Sequence, residues 1–378
     1  MPISASDTDT TDRQAQSDAA GVERRSMDMN EKPHPRSPLE RRLQERPFLL
    51  ADGALGTNLF EMGLPPGEAP ELWNTERPER IAELHRRFVD AGADIILTNS
   101  FGANACRLAL HKAQDRVDEL NRAAARIAKE VADSGARGSL VAGSIGPTGE
   151  IFAPLGTLEP EAAREVFAAQ ACALKAGGAD LIWVETMSSY EEVEAALTGA
   201  AASGLATVCT LSFDTHGHTM MGISPTAFVN FCRSLPHPPV AFGSNCGLGP
   251  AETLAGVISL SQANIEADPI IAKANCGIPE FIDGKSVHNG TPELMARYAC
   301  LALDAGARII GGCCGTTPTH LKAMREALDN HPKASPPDME TAIRELGSIT
   351  SGAQAQLQGQ ERDTPPNAPQ TRRRRRRS

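Results

Sequence analysis

Eight short apolar or β-branched runs alternate with eight helical patterns, and this rhythm restricts the fold more than any other feature of the chain. The runs fall at 48–52, 94–99, 139–144, 180–185, 207–213, 240–246, 269–275 and 308–313. The helical patterns lie near 76–91, 116–133, 159–176, 190–203, 224–234, 250–264, 291–305 and 318–329. In the first of these, Ile81, Leu84 and Phe88 share one face at helical spacing. Glycine punctuates the repeats at Ala91-Gly92-Ala93-Asp94, Gly177-Gly178-Ala179-Asp180 and Ala305-Gly306-Ala307-Arg308, ending a helix and turning the chain into the next strand. Eight βα units predict an α/β chain closed into a (β/α)8 TIM barrel. An open doubly wound sheet normally uses fewer strands, and no Gly-x-Gly-x-x-Gly follows the first run. The expected layout is a single barrel domain at 43–330 between two disordered tails, 1–42 and 331–378, both polar and poor in apolar periodicity.

Such a barrel carries its chemistry at the C-terminal ends of its strands. Those ends read Asp52, Asn99, Ser144, Glu185, Asn245-Cys246, Asn275-Cys276 and Cys313-Cys314. Cys246, Cys313 and Cys314 stand out, because the tips of strands six and eight are close enough to share one ion. Adjacent side chains on a regular strand point to opposite faces, so the strand must end at Cys313. Gly311, Gly312 and Gly315 supply the freedom to turn both sulfurs inward. Thiolates suit Zn2+, and three protein ligands leave a fourth position open, as in catalytic sites. One zinc per chain is therefore expected.

Three thiolates outweigh the two positive charges of zinc, so the site is anionic and polarises a carbonyl or water weakly. It suits holding an incoming thiol as thiolate, against an ordinary pKa of about 8.5, and leaving it electron-rich. The implied reaction is alkyl transfer to sulfur. For a thiol amino acid, Asp52 and Glu185 are candidate ammonium partners. The backbone N–H groups of Gly53, Ala54, Leu55, Gly56 and Thr57 could receive its carboxylate. Asn99, Ser144 and Asn245 complete the expected substrate-binding rim.

Charge and cysteine usage narrow the class further. The net charge is −10, and setting aside the six arginines at 372–377 leaves −16 for the remainder. An acidic body disfavours a specific nucleic-acid partner, and the arginine run reads as a solvated tail. The first forty residues are polar, with Asp7, Asp9, Asp12, Asp18 and Asp28 among them, so neither a secretory signal nor a membrane span is expected. Nine cysteines, an odd number, fit free thiols in a reducing, cytoplasmic setting.

Six ordered blocks resemble the homocysteine S-methyltransferase family, which includes betaine-homocysteine methyltransferase and the homocysteine domain of cobalamin-dependent methionine synthase. They are Asp52-Gly53-Ala54-Leu55-Gly56-Thr57, Thr98-Asn99-Ser100-Phe101-Gly102-Ala103-Asn104, Gly143-Ser144-Ile145-Gly146-Pro147-Thr148-Gly149-Glu150, Glu185-Thr186-Met187, Gly243-Ser244-Asn245-Cys246-Gly247 and Gly311-Gly312-Cys313-Cys314-Gly315-Thr316-Thr317-Pro318. The resemblance implies zinc on Cys246, Cys313 and Cys314, homocysteine as the fourth ligand, and its amino group on the carboxylates matching Asp52 and Glu185. It leaves the methyl donor open. Betaine enzymes of the family place tyrosines where this chain has Met187 and Gly102, although Trp73 and Trp183 offer another aromatic cage. The glycine-rich blocks look more like methionine synthase, whose donor would be methylcobalamin, a methylcorrinoid carried here by a separate corrinoid protein. S-methylmethionine is a third candidate, and homo-oligomerisation is left open.

Two other readings stand beside this one. His216-Gly217-His218 could chelate a metal in a barrel metallohydrolase. A non-catalytic binding barrel tethered by its arginine tail is the other.

Overall fold

The computed structural model describes residues 36–282 and 285–359. Eight parallel strands form the barrel: β1 (Leu49–Leu50), β2 (Ile95–Leu97), β3 (Leu140–Ile145), β4 (Leu181–Met187), β5 (Thr207–Leu211), β6 (Ala241–Cys246), β7 (Ile270–Ala274) and β8 (Ala307–Gly312). Neighbours in sequence pair, β8 returns to β1 with Leu49 opposite Ile309, and an Ala51–Ile95 bridge joins β1 to β2 to close the ring. The outer helices are α1 (Pro78–Asp90), α2 (Val117–Ser134), α3 (Pro160–Gly177), α4 (Tyr190–Ala201), α5 (Pro225–Ser234), α6 (Pro250–Ala263), α7 (Pro292–Asp304) and α8 (Pro318–Asp329). All eight strands and all eight helices fall where the alternation places them. Proline at the first helical position, or a Ser cap at Ser189, starts seven of these helices, all but α2, which follows a short 3-10 turn at Gln114–Arg116.

The Gly-Ala-Asp stops have a second use. Asp94 accepts the N–H of Leu50 at 2.9 Å and Asp180 that of Val141 at 2.8 Å, so each aspartate, at the start of one strand, bonds the strand before it at the barrel's lower end. Asp94 also pairs with Arg46 and Arg325, at 2.5 and 3.0 Å.

The barrel interior is a stack of Leu49, Ile95, Leu140, Leu181, Trp183, Val208, Ile271 and Ile309. Leu39 and Leu43 join it from a helix at Pro38–Glu45, whose Ser37–Glu40 capping box fixes its start. Apolar filling thus closes the lower end, leaving polar groups to the upper rim.

Two segments depart from the expected tails. Residues 37–42 belong to that plugging helix. After 330, α9 (Met339–Leu346) and α10 (Ser351–Leu357) pack on the barrel, with Ala342, Leu346, Ile349 and Ala353 buried. Thr350 donates to Glu252 of α6 through its N–H at 3.0 Å and its hydroxyl at 2.5 Å. With this cover, α6 is buried continuously from Pro250 to Leu260. A helix apolar all round needs such a second layer. A two-stranded hairpin, Pro279–Ile282 with Lys285–His288, follows β7. The expected disorder of 1–35 and 360–378, and the arginine run, lie outside the described residues. Among the described residues no helix is long and apolar enough to cross a membrane.

Candidate active site

Strands β6 and β8 bring three cysteines together at the upper rim. β6 ends at Cys246, whose backbone is left-handed with φ +66°. β8 ends at Gly312, one residue before the expected stop, and Cys313 and Cys314 follow in the turn. The three Sγ atoms lie within 4.8 Å of one another, each residue half-buried. A regular strand could not place adjacent side chains so; leaving strand geometry at Gly312 does.

Two asparagines from neighbouring tips hold the arrangement. Asn275 accepts the N–H of Cys314 at 3.0 Å and donates to the Gly247 carbonyl at 2.6 Å, stapling the two cysteine-bearing turns to each other. The N–H of Cys313 donates to Ala274 at 2.7 Å. Asn245 exchanges two hydrogen bonds with Thr186, at 2.9 and 2.7 Å, and its amide donates toward the Cys313 sulfur at 3.9 Å. Thr186 is itself left-handed, φ +62°. Gly315 completes the turn at φ +78°, where an added Cβ would run into His288 at 2.3 Å.

The sulfurs alone cannot carry three negative charges. Thiols of Cys313 and Cys314 donate to the Cys246 sulfur, pulling its pKa down to about 3. The same bond pushes Cys313 up to about 11, and Cys314 lies higher still. A divalent cation among them would remove this competition, because metal binding displaces thiol protons. Thiolates about 2.3 Å from one tetrahedral ion stand about 3.8 Å apart, within the spread that the three sulfurs allow.

A cavity of about 540 Å3 opens over the cysteines. Gly53, Ala54, Thr57, Asn99, Ser144 and Glu185 line it together with Cys246, Cys313 and Cys314. Asp52 and Asn245, fully buried, stand behind this wall. Glu185 accepts the Ser144 hydroxyl at 2.5 Å. Burial raises its pKa to about 7, with Lys273 opposing and Cys313 and Asp52 adding to the rise. Burial also raises Asp52, against the Lys273 ammonium and the Leu97 N–H. The Asn99 amide is spent on Pro70 O at 2.7 Å and Asn74 at 3.0 Å, so its side chain shapes the wall rather than offering donors to a ligand. Ala54 N–H is likewise committed, to Thr316 O at 3.2 Å. Thr57 Oγ1 accepts the Gly315 N–H at 3.2 Å, tying the first rim loop to the cysteine turn.

The residue that strand-tip reasoning missed is Lys273, one position inside the end of β7. A lone lysine in the apolar run Ile270–Ala274 was the available signal, since a parallel strand is buried on both faces and a charge there must be paired. Cys276, at the same rim, stays out of the trio and donates to Gly290 O at 3.3 Å.

The other sequence candidates fall elsewhere. Trp183 is in the barrel interior and donates to Thr210 at 3.2 Å; neither it nor Trp73 lines the cavity, so the suggested tryptophan cage does not form. The aromatic residues that line the cavity are Phe60 and Phe101, beside the buried carboxylate of Glu71. His216 and His218 sit in a turn after β5, where α10 approaches through Gln356, which donates to Gly217 O at 2.8 Å. Neither histidine lines the cavity, and among the described residues the cysteine trio is the group of three or more His, Cys, Asp or Glu that could hold a metal.

Comparison with known proteins agrees with this geometry. Residues 49–328 match the family model described as homocysteine S-methyltransferase. The chain is 31% identical over 299 residues to methionine synthase of Mycobacterium tuberculosis, covering 75% of this chain and 25% of that protein. Against methionine synthase of Mycobacterium leprae it is 29% identical over 320 residues, covering 80% and 26%. The chain thus spans about a quarter of the length of these relatives. Among solved structures, the metallated form of the homocysteine methyltransferase MmuM from Escherichia coli superposes with a TM-score of 0.62 at 28% identity, covering 76% of this chain and 99% of that one.

Proposed function

The chain belongs to the homocysteine S-methyltransferase family, and from that footing we propose that it makes methionine by methyl transfer to homocysteine, with zinc on Cys246, Cys313 and Cys314. The observation that carries this reading is the meeting of three sulfurs within 4.8 Å at the floor of a cavity whose wall also presents Glu185. When bound, zinc would supply a fourth position for the homocysteine sulfur and hold it as thiolate at neutral pH.

The chain's own residues do the rest. Glu185 takes the substrate ammonium, with Ser144 fixing one of its oxygens. The carboxylate goes to the N–H groups beside Ala54 and to the Thr57 hydroxyl, whose proton is free because its oxygen only accepts from Gly315. Asn245 steadies Cys313 by donating toward its sulfur, limiting the charge that builds there. The trio's chemistry supports a soft, thiophilic ion over Mg2+ or Ca2+.

For the donor, the cavity favours a small onium compound such as betaine or S-methylmethionine. Phe60 and Phe101 offer an aromatic surface for a methylated cation, beside a Glu71 carboxylate that also faces Arg107 and His111. The methyl carbon then passes from nitrogen or sulfur to the homocysteine sulfur, the electron pair of the broken bond stays on the leaving heteroatom, and the two charges cancel. A corrin ring exceeds the cavity, so a methylcorrinoid would have to be presented at its mouth by a corrinoid carrier. The nine free cysteines fit a cytoplasmic setting.

The test is methionine formation by the zinc-loaded chain from homocysteine with betaine, S-methylmethionine and methylcobalamin in turn. Turnover with an onium donor is expected. Methionine from none of them, with an added corrinoid protein failing as well, would overturn the proposal.

A further inference from the structure

Lys273 is a buried cation at the centre of this site. It is 2% exposed, its Nζ lies 3.1 Å from Asp52 Oδ1, and it stands 5.2 Å from the Trp183 ring centroid. Burial works to strip its proton; the Asp52 and Glu185 carboxylates outweigh that and keep it an ammonium. Asp52 is thereby fully engaged, with one oxygen on Lys273 and the other on the Leu97 N–H at 2.8 Å. Glu185 differs. Its Oε1 accepts from Ser144, and among the described residues nothing hydrogen-bonds its Oε2 at the cavity wall. Two carboxylates and one lysine leave a single negative charge for a ligand.

We propose that Lys273 is a specificity-determining positioning residue: by engaging Asp52 it leaves Glu185 as the one carboxylate that reads the acceptor, so the site selects thiols bearing one ammonium group. This rests on the homocysteine reading above. It departs from the expectation that both carboxylates hold the substrate amine, because Lys273 already fills the place beside Asp52. The charged groups around Glu185 are Lys273 of β7, Asp52 at the tip of β1 and Cys313 after β8, with Ser144 of β3 as its neutral donor. Lys273 itself reaches the cavity lining, with one N–H committed to Asp52 at 3.1 Å, so a role on the substrate carboxylate is the alternative that the carboxylate-free thiol tests.

The experiment is calorimetric binding to the zinc-loaded full chain of three thiols: homocysteine, 3-aminopropane-1-thiol without the carboxylate, and 4-sulfanylbutanoate without the amine. In the unmodified protein, loss of the amine is expected to weaken binding about a hundredfold, the scale for leaving a site's buried polar group unpaired. Equal affinity for 4-sulfanylbutanoate and homocysteine overturns the proposal. In Lys273→Met, the mutually repelling Asp52 and Glu185 carboxylates lose the cation that opposes their rise, so Glu185 keeps its proton to a higher pH. Both amine-bearing thiols should then bind about tenfold or more weaker at pH 7, by a common factor, and recover toward pH 8.5, since one pKa unit is about tenfold. Lys273→Arg should keep the unmodified pH profile. An unshifted profile in Lys273→Met, or weakening confined to homocysteine, contradicts the proposal, the latter because it assigns Lys273 to the carboxylate. If Lys273→Met does not fold, the uncharged but polar Lys273→Gln carries the same expected shift of the pH profile, and an unshifted profile there contradicts the proposal. Binding of none of the three thiols defeats the homocysteine reading itself, whereas thiol binding without amine selectivity leaves a thiol acceptor in place and defeats the ammonium role of Glu185 and, with it, that of Lys273.

Discussion

Cys246 adopts φ +66° as a residue with a Cβ, and that conformation has a measurable cost. Left-handed backbone costs an L-residue roughly 1–2 kcal/mol. Glycine escapes this cost but loses about 0.5–1 kcal/mol relative to alanine through the freedom it has when unfolded. At an ordinary strand position alanine therefore beats glycine. At 246 the difference leaves glycine ahead by about 0.5–1 kcal/mol, or roughly 1–3 °C in melting temperature for a domain of this size. Cys246→Ala and Cys246→Gly both delete the same sulfur, so in chelator they differ only in backbone freedom. Calorimetric melting of the two in chelator should place the glycine variant higher. If alanine melts at the same temperature or above, Cys246 is not strained, and the left-handed turn is not what aims its sulfur at Cys313 and Cys314.

Other consequences are quicker to check. Glu185 with a pKa near 7 must be ionised to take the substrate ammonium, so kcat/KM should fall about tenfold per pH unit below 7; Glu185→Gln should abolish that limb and raise KM with little loss of zinc. Asn245→Leu removes the clamp on Thr186 and the donor toward Cys313, and zinc affinity by competition with a chelator should drop about 10–100-fold. Replacing His216 and His218 together by alanine should leave zinc content at that of the unmodified protein; loss of the metal there, with retention in Cys313→Ala, would restore the metallohydrolase reading.

How far the sequence reveals this architecture depends on what each segment's partner is. The barrel was legible because every strand and helix carries its own signal, apolar run or helical period, and glycine marks the joints. The helix at Pro38–Glu45 has only Leu39 and Leu43 as its buried positions, and their partners lie on strands far along the chain. The same holds for α9 and α10, whose necessity shows only in the unbroken burial of α6. At the site, strand-tip counting reached the three cysteines, Ser144 and Glu185. It passed over Lys273, one residue below the tip, and Asn275, read as part of the rim when it in fact joins the two cysteine turns. Asn99 does stand on the rim, and what the sequence does not show is that its amide donates to Pro70 and Asn74, a contact set by the rim loop at 70–74 that no local pattern encodes.

The most direct test of the central claim is X-ray absorption at the zinc edge of the purified chain, with and without homocysteine. The account predicts one zinc per chain with three sulfurs at about 2.3 Å and one lighter ligand, becoming four sulfurs when homocysteine is added. A zinc held by nitrogen or oxygen ligands, or a sulfur count that stays at three with homocysteine present, would contradict it.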